Sequence, residues 1–428
     1  MKKLVKILSF LNLIWFLAIS VESSGQFWRK KDSVTPTYGF HLEKGKNTVT
    51  IPFEVYSNLI VLKATIDDSD TLNFILDTGV SSIFITDPRL ADRLGFEYVR
   101  EVSISGAGEE EALRAQISVG HEFNLEKING YMQNVVVLSK DILQLSEFMG
   151  VPIHGIFGHT LFENFVVSID FNTLLLTITN PDKFKLRRKH GESYPIVVTQ
   201  NKPYTDAISL VENAGGEKRS MRLVIDTGAG HALLLNSDEG HIELPEKVIR
   251  ANLGRGLNGD IYGNIGRVSK VSMGNIEMND VIASFPDSLS FSMKFPPTDI
   301  DRQGSIGGEF LRRFKVTFNY RAGYMALKAN KNRLKQPFEH DMSGMDVRAY
   351  ASNLKRFYIK DIVEGSPADE AGLLPNDEIL FLNRKHVEEM TVTEIYRILS
   401  RKEGKTIDIF YRRKGVIGVA NFQLRRAI

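Results

Sequence analysis

Two Asp-Thr-Gly triplets, set in matching surroundings, constrain this chain more than any other feature. Asp77-Thr78-Gly79 ends the apolar run Phe74-Ile75-Leu76, and Asp226-Thr227-Gly228 ends Leu223-Val224-Ile225. A buried strand that stops at such a triplet presents a carboxylate on a tight turn, which the glycine allows to close. Gly155-Ile156-Phe157-Gly158 lies downstream of the first triplet, and Gly304-Ser305-Ile306-Gly307 downstream of the second. The two aspartates and the two leading glycines share one separation, since 226 − 77 and 304 − 155 are both 149. Phe165, Val167, Ile169 and Phe171 then fall opposite Phe314, Val316, Phe318 and Tyr320. Both stretches alternate apolar and polar residues, as half-buried strands do. The chain therefore encodes one fold twice, and the unit is domain-sized, too long for a solenoid repeat.

These ordered motifs, spanning roughly residues 45 to 330, resemble the aspartic proteases of the pepsin-like and retroviral types. The resemblance implies a mainly β fold of two small, partly closed barrels with a cleft between them. In length the lobes look closer to the retroviral type. Gly155–Gly158 and Ser305–Gly307 are expected to brace the strands that carry the acids. Asp77 and Asp226 are the expected catalytic pair, close enough to share one proton. The ionised member would activate a water and the protonated one would bond the scissile carbonyl. Thr78 and Thr227 are expected to bond the backbone of the opposite lobe, and Gly79 and Gly228 to close the turns. No metal or cofactor is needed, and both lobes on one chain imply activity as a monomer.

Pepsin-like enzymes often place Ser or Thr after the triplet, where it donates to the ionised acid. Val80 and Ala229 stand there and have no side-chain donor, so the pair's pKa should rise and activity is expected at mildly acidic to neutral pH, not at strongly acidic pH. A mobile cover is expected from glycine-rich hairpins. The candidates are Gly106 and Gly108, followed by Glu109, Glu110 and Glu111, in the first copy. Gly256, Gly259 and Tyr262 are their counterparts in the second. His159 and His231 lie near the motifs and read as structural, with tuning of the acids as the alternative.

A third unit resembles the PDZ domains of bacterial envelope proteases through Gly365-Ser366-Pro367-Ala368, Ala371-Gly372-Leu373 and Asn376-Asp377-Glu378-Ile379. Strands are expected over Phe357–Val363, up to Asn383, and over Thr406–Tyr411 and Val419–Leu424, with helices near Ala368–Ala371 and over Val392–Ser400. Ser343, Gly344, Met345, Asp346 and Val347 would form the loop that binds a peptide's terminal carboxylate. Asp346 replaces the usual Gly and would oppose that carboxylate. A PDZ fold used only for packing within the chain is the competing reading.

Met1, Lys2, Lys3 and Lys6 precede an apolar stretch from Ile7 to Val21, which reads as a signal peptide cleaved before Gln26 or after Ser20. An uncleaved anchor is the alternative, for which the run is short. Export to the periplasm or cell envelope follows, with release outside the cell as the other destination. The expected divisions are 1–25 signal peptide, 26–184 first lobe, 192–332 second lobe and 336–428 PDZ domain, with the basic stretch from Pro181 to Gly191 as an exposed linker. The absence of Cys excludes disulfides, thiol catalysis and Cys-based metal sites. A net charge of +2 gives no reason to expect nucleic acid as a partner. Peptide or protein substrates are the expected partners, with a peptide ligand at the PDZ groove. No Gly-x-Ser-Gly turn supports a serine protease. A peptide-binding protein that keeps the fold without turnover is the remaining alternative to an endopeptidase.

Overall fold

The computed structural model describes residues 38–104, 106, 112–213, 216–237, 242–287 and 302–428. The signal segment, Gly108 and Glu109, Glu110 and Glu111 lie outside the described residues. Among the described residues no helix is long and apolar enough to cross a membrane.

The architecture is mainly β, and the two copies build the same motif. In the first lobe Leu59–Ile66 runs antiparallel to Leu72–Asp77, with Val61 opposite Ile75. Gly155–Gly158 lies parallel on the other side, with Gly158 level with Asp77. The approach is so close that a Cβ on Gly158 would stand 1.9 Å from the Asp77 carbonyl oxygen, so only glycine fits. In the second lobe Lys202–Val211 pairs with Arg219–Ile225, with Tyr204 opposite Val224, and Gly304–Ile306 runs parallel to the latter. The register shows that the internal repeat is not uniform. Downstream of the acids the shift is 149, whereas Tyr204 corresponds to Val61, a shift of 204 − 61 = 143. Extra residues between Lys202 and Arg219 and a bulge between Thr205 and Ile208 absorb the difference.

A six-stranded sheet joins the lobes, in the order Glu192–Pro195, Tyr324–Ala329, Phe314–Asn319, Val166–Asp170, Leu175–Thr179, Thr48–Pro52. The repeat-related strands Val166–Asp170 and Phe314–Asn319 pair antiparallel at its centre, with Ile169 opposite Val316. Ser168 Oγ and Thr317 Oγ1 meet there at 2.8 Å, which marks the pseudo-twofold axis. Phe162, Phe165, Phe310, Phe314 and Phe318 are buried at this sheet, and the two lobes share one apolar core. The basic stretch from Pro181 to Gly191 is mostly exposed but not featureless, since it forms two short 3-10 turns and buries His190.

The C-terminal unit has its own core, centred on Phe357, Ile359, Leu382, Ile395, Leu399 and Ile409. Its sheet runs Met345–Tyr350, Asn353–Ile362, Glu378–Leu382, Thr406–Arg413, Val416–Gln423. The helix Val392–Leu399 starts at a capping box of Thr391 and Glu394, which satisfies its first amides.

Arg313 holds the segment that leads into this unit against the second lobe. Its side chain is 1% exposed, and its guanidinium donates to the carbonyls of Arg333, Gln336 and Pro337 and to Glu309. It also lies 3.5 Å from the centre of the Phe338 ring. Arg313→Met strands those acceptors and the Glu309 charge. We expect a loss of about 3–5 kcal/mol in urea unfolding, together with new protease cuts between Arg333 and Asp341.

Candidate active site

The two triplets meet across the lobe boundary. Thr227 Oγ1 accepts from the Thr78 amide at 3.0 Å and donates to the Leu76 carbonyl at 2.8 Å. The reciprocal pair is the same, with Thr78 Oγ1 accepting from the Thr227 amide at 3.1 Å and donating to the Ile225 carbonyl at 2.6 Å. Both threonines are buried, so all four bonds are shielded from water. The clamp ties the two strand ends that carry the acids to each other. A Cβ on Gly228 would lie 2.2 Å from Asp77 Oδ2, so the second triplet's glycine lies directly against the first triplet's carboxylate.

Asp77 and Asp226 are both half-buried, and Asp226 lines a cavity of about 1470 Å³ together with Gly79 and Gly228. Gly79 donates to Asp77 Oδ1 at 2.6 Å and Gly228 to Asp226 Oδ1 at 2.9 Å. Burial, then the charge of Asp226, pushes the Asp77 carboxyl up to about 7. Burial also raises Asp226, against the Gly228 amide, Lys202 and Arg302, which favour its ionised form. The two acids thus hold one proton between them at mildly acidic pH.

Three residues near the acids carry no signature in the linear motifs. Lys202 and Arg302 line the cavity on the second-lobe side, and burial lowers both of their pKa values. Tyr320 packs on Phe162 with ring centres 5.6 Å apart. Burial, then the charges of Asp77 and Asp226, holds its phenol well above the usual range. Reading Tyr320 as the partner of Phe171 in the repeat conceals its hydroxyl, and only the fold sets it against the acids.

The hairpin of Val248–Gly256 and Gly259–Met273 turns at Leu257-Asn258, with Gly256 opposite Gly259. Residues Arg250 to Gly256, Ile261 and Tyr262 line the same cavity as Asp226. Tyr262 is 37% exposed. Gly106 beyond the strand Arg100–Ile104 reaches this tip, its amide donating to Asn258 Oδ1, and a Cβ there would come within 2.9 Å of Leu257. The two hairpins therefore touch.

The PDZ unit forms another wall of this cavity through Gly344, Met345, Asp346, Arg348, Thr393, Tyr396 and Arg397. Four of the five amides of the loop Ser343–Val347 are bonded within the chain. Asp341 accepts from the Ser343 amide at 3.2 Å and the Gly344 amide at 2.6 Å, Ser343 Oγ takes the Met345 amide, and Tyr396 Oη takes the Val347 amide at 2.8 Å. Asp346 does not crowd the loop, because Arg348 neutralises it at 2.8 Å. The acid that sits on the loop is Asp341, which the sequence motif does not reveal. The first-lobe helix Leu145–Met149 packs on the strand Met345–Tyr350, with Phe148 under the Arg348 guanidinium at 4.6 Å. Ser57 donates its amide to Thr393 Oγ1 at 3.2 Å.

His231 bonds Ser305 Oγ through Nε2 at 3.0 Å, and burial pushes its imidazole down to about 4, so it is neutral at the pH where the acids titrate. Burial lowers His159 as well, and its ring lies 5.8 Å from that of Tyr320. Among the described residues no cluster of three or more His, Asp or Glu is arranged to hold a metal ion.

Residues 62–161 and 212–310 match the family model described as aspartyl protease, and residues 358–413 match the one described as PDZ domain. No curated protein matches the chain.

Proposed function

From a chain that carries two aspartyl protease regions and a C-terminal PDZ domain, we propose an exported aspartic endopeptidase that cuts peptide bonds with water activated between Asp77 and Asp226. The single observation behind this reading is the reciprocal Thr78–Thr227 clamp, which ties the two Asp-bearing turns together, with burial and the neighbouring Asp226 raising the Asp77 carboxyl to about 7. The ionised acid removes a proton from the water as it attacks the carbonyl carbon. The protonated acid donates to the carbonyl oxygen as charge develops, and the proton then passes to the leaving amine. The contact of Gly106 with the Leu257-Asn258 tip supports a cover over the cleft. The apolar segment Ile7–Val21 supports export to the periplasm or cell envelope. The PDZ unit supports this reading as a wall that presents substrate, since four of its five loop amides are occupied from within. Cleavage of casein by the full chain should stop on adding a statine-type inhibitor, which mimics the tetrahedral intermediate. Cleavage that continues at saturating inhibitor would contradict the proposal.

The absent donors at Val80 and Ala229 give a further prediction. Ala229→Ser places a hydroxyl beside Asp226 that favours the ionised form. The acid limb of the pH–rate profile should move down by about 0.5–1 pH unit, and Val80→Ser should act in the same direction on Asp77. An unmoved limb in both variants would mean that neither hydroxyl reaches its acid.

A further inference from the structure

The second-lobe hairpin of Val248–Gly256 and Gly259–Met273 is interrupted short of its tip. Between Asn252 and Gly254 the register slips, two steps on one strand matching the single step from Tyr262 to Ile261 on the other. Gly254 takes a φ of +132°, with nothing within 4 Å of where a Cβ would stand. Such a bulge breaks the ladder locally, so the tip can bend away from the base. The base is anchored. Arg267 donates to the carbonyls of Asp280 at 2.9 Å and Phe338 at 2.8 Å. Beyond the bulge, the tip is docked on parts of the chain outside its own lobe. Leu257 packs on the first-lobe cluster of Leu113, Val136 and Ile142. Asn258 is fully buried and accepts from the Gly106 amide. Arg255 donates to Gln144 Oε1, directly before the first-lobe helix Leu145–Met149. Another tie leaves the lobes altogether, for Asp260 Oδ1 accepts from Lys360 Nζ at 3.3 Å, and Lys360 lies on the PDZ strand Asn353–Ile362.

Asp260 is aimed by its neighbour across the hairpin. Arg255 stands opposite it in the register, with Nε 3.6 Å from the same oxygen that Lys360 holds. The carboxylate therefore lies between a cation of its own hairpin and a cation of the PDZ unit. The Lys360 and Asp260 side chains are 27% and 25% exposed, so solvent screens the pair only in part. Gly256 and Ile261 of the hairpin line the cavity that Asp226 lines, and so do Arg348 and Ile362 of the PDZ unit. The ion pair thus joins the cover of the cavity to its PDZ wall. We propose that Lys360 is a positioning residue, which holds the hairpin tip down over the cleft through Asp260, so that the PDZ unit sets how often the cover lifts. This rests on the cover and cleft of the peptidase reading above and adds the residue that governs opening. Lifting the tip about the bulge to admit a peptide breaks the Lys360–Asp260 pair, and closing over the peptide restores it.

The test reads opening itself, so it does not depend on turnover. The chain has no Cys, and a single introduced thiol therefore reports without background. In the full-length chain carrying Leu257→Cys, the rate of reaction with a maleimide follows the fraction of time that the tip is lifted. Adding Lys360→Met should speed labelling about three- to tenfold. Lys360→Glu, which sets a like charge against Asp260, should speed it further, and Lys360→Arg should keep it near the parent rate. Added salt should bring the parent towards the Lys360→Met rate while moving Lys360→Met little. A second reporter, Ala349→Cys, sits on the buried face of the PDZ strand Met345–Tyr350 and should label slowly throughout, since the unit stays folded. Rates that ignore the charge at position 360, free-thiol rates at Leu257→Cys in every form, or an Ala349→Cys reporter that speeds up in step overturns the proposal. If labelling follows the charge but the unmodified chain cuts no casein, the latch stands and the hydrolytic reading falls. Flat labelling in a chain that cuts casein removes the latch and leaves the peptidase.

Discussion

Asp77→Asn is expected to cut peptide hydrolysis by at least about 10³-fold while making the folded chain more stable at neutral pH. The two effects have one origin. Burial and the neighbouring Asp226 raise the Asp77 carboxyl to about 7 from an ordinary value of 3.8. A carboxyl whose folded pKa is raised contributes stability below pH 4, where it is protonated in both states. That stability is lost as pH climbs through the folded value near 7. Between these limits the folded state holds a proton that the unfolded chain releases. Asn keeps an acceptor for the Gly79 amide and carries no charge, so it removes the repulsion with Asp226. Urea unfolding at pH 8 should show the variant more stable than the parent by about 1–3 kcal/mol, with the difference shrinking towards pH 4. A variant less stable at pH 8 would mean that the pair is not strained by its own charge.

Thr227→Val should carry a large structural penalty. Valine fits the space, but the Thr78 amide loses its acceptor and the Leu76 carbonyl its donor. Both groups lie where water cannot replace the lost partner. Two stranded backbone groups cost about 2–5 kcal/mol together, read in urea unfolding. Turnover should fall further than stability does, because Leu76 and Thr78 flank Asp77 and hold it against Asp226. Thr227→Ser retains the hydroxyl and should recover most of both losses. If Val and Ser behave alike, the clamp is not what positions the acids.

Much of the protease frame was legible in the sequence because its demands fall on single residues. Gly158 tolerates no Cβ, Gly228 abuts a carboxylate, and the alternation through Val167 and Ile169 marks a strand that pairs with its own copy. What stayed hidden came from contacts between distant segments. Lys202 pairs with Leu59 only once the shift changes from 149 to 143 upstream of the acids, and the strand register supplies that change. A reading tied to a constant offset places Lys202 opposite Phe53 and misses the cation. Tyr320 looks like one more core aromatic until the central sheet sets it near both acids. At the PDZ loop the sequence drew attention to Asp346, yet Asp341 lies on the loop amides and Arg348 pairs with Asp346. Side-chain reach across a turn is not encoded in motif spacing.

The most direct measurement compares casein cleavage by the full chain, Asp77→Asn and Asp226→Asn over pH 3 to 8. The paired-acid account predicts a bell-shaped profile for the parent, centred in the mildly acidic to neutral range, and silence from both folded variants. Substantial activity in either variant, or a parent optimum near pH 2–3 as in the lower-titrating acid pairs, would contradict it.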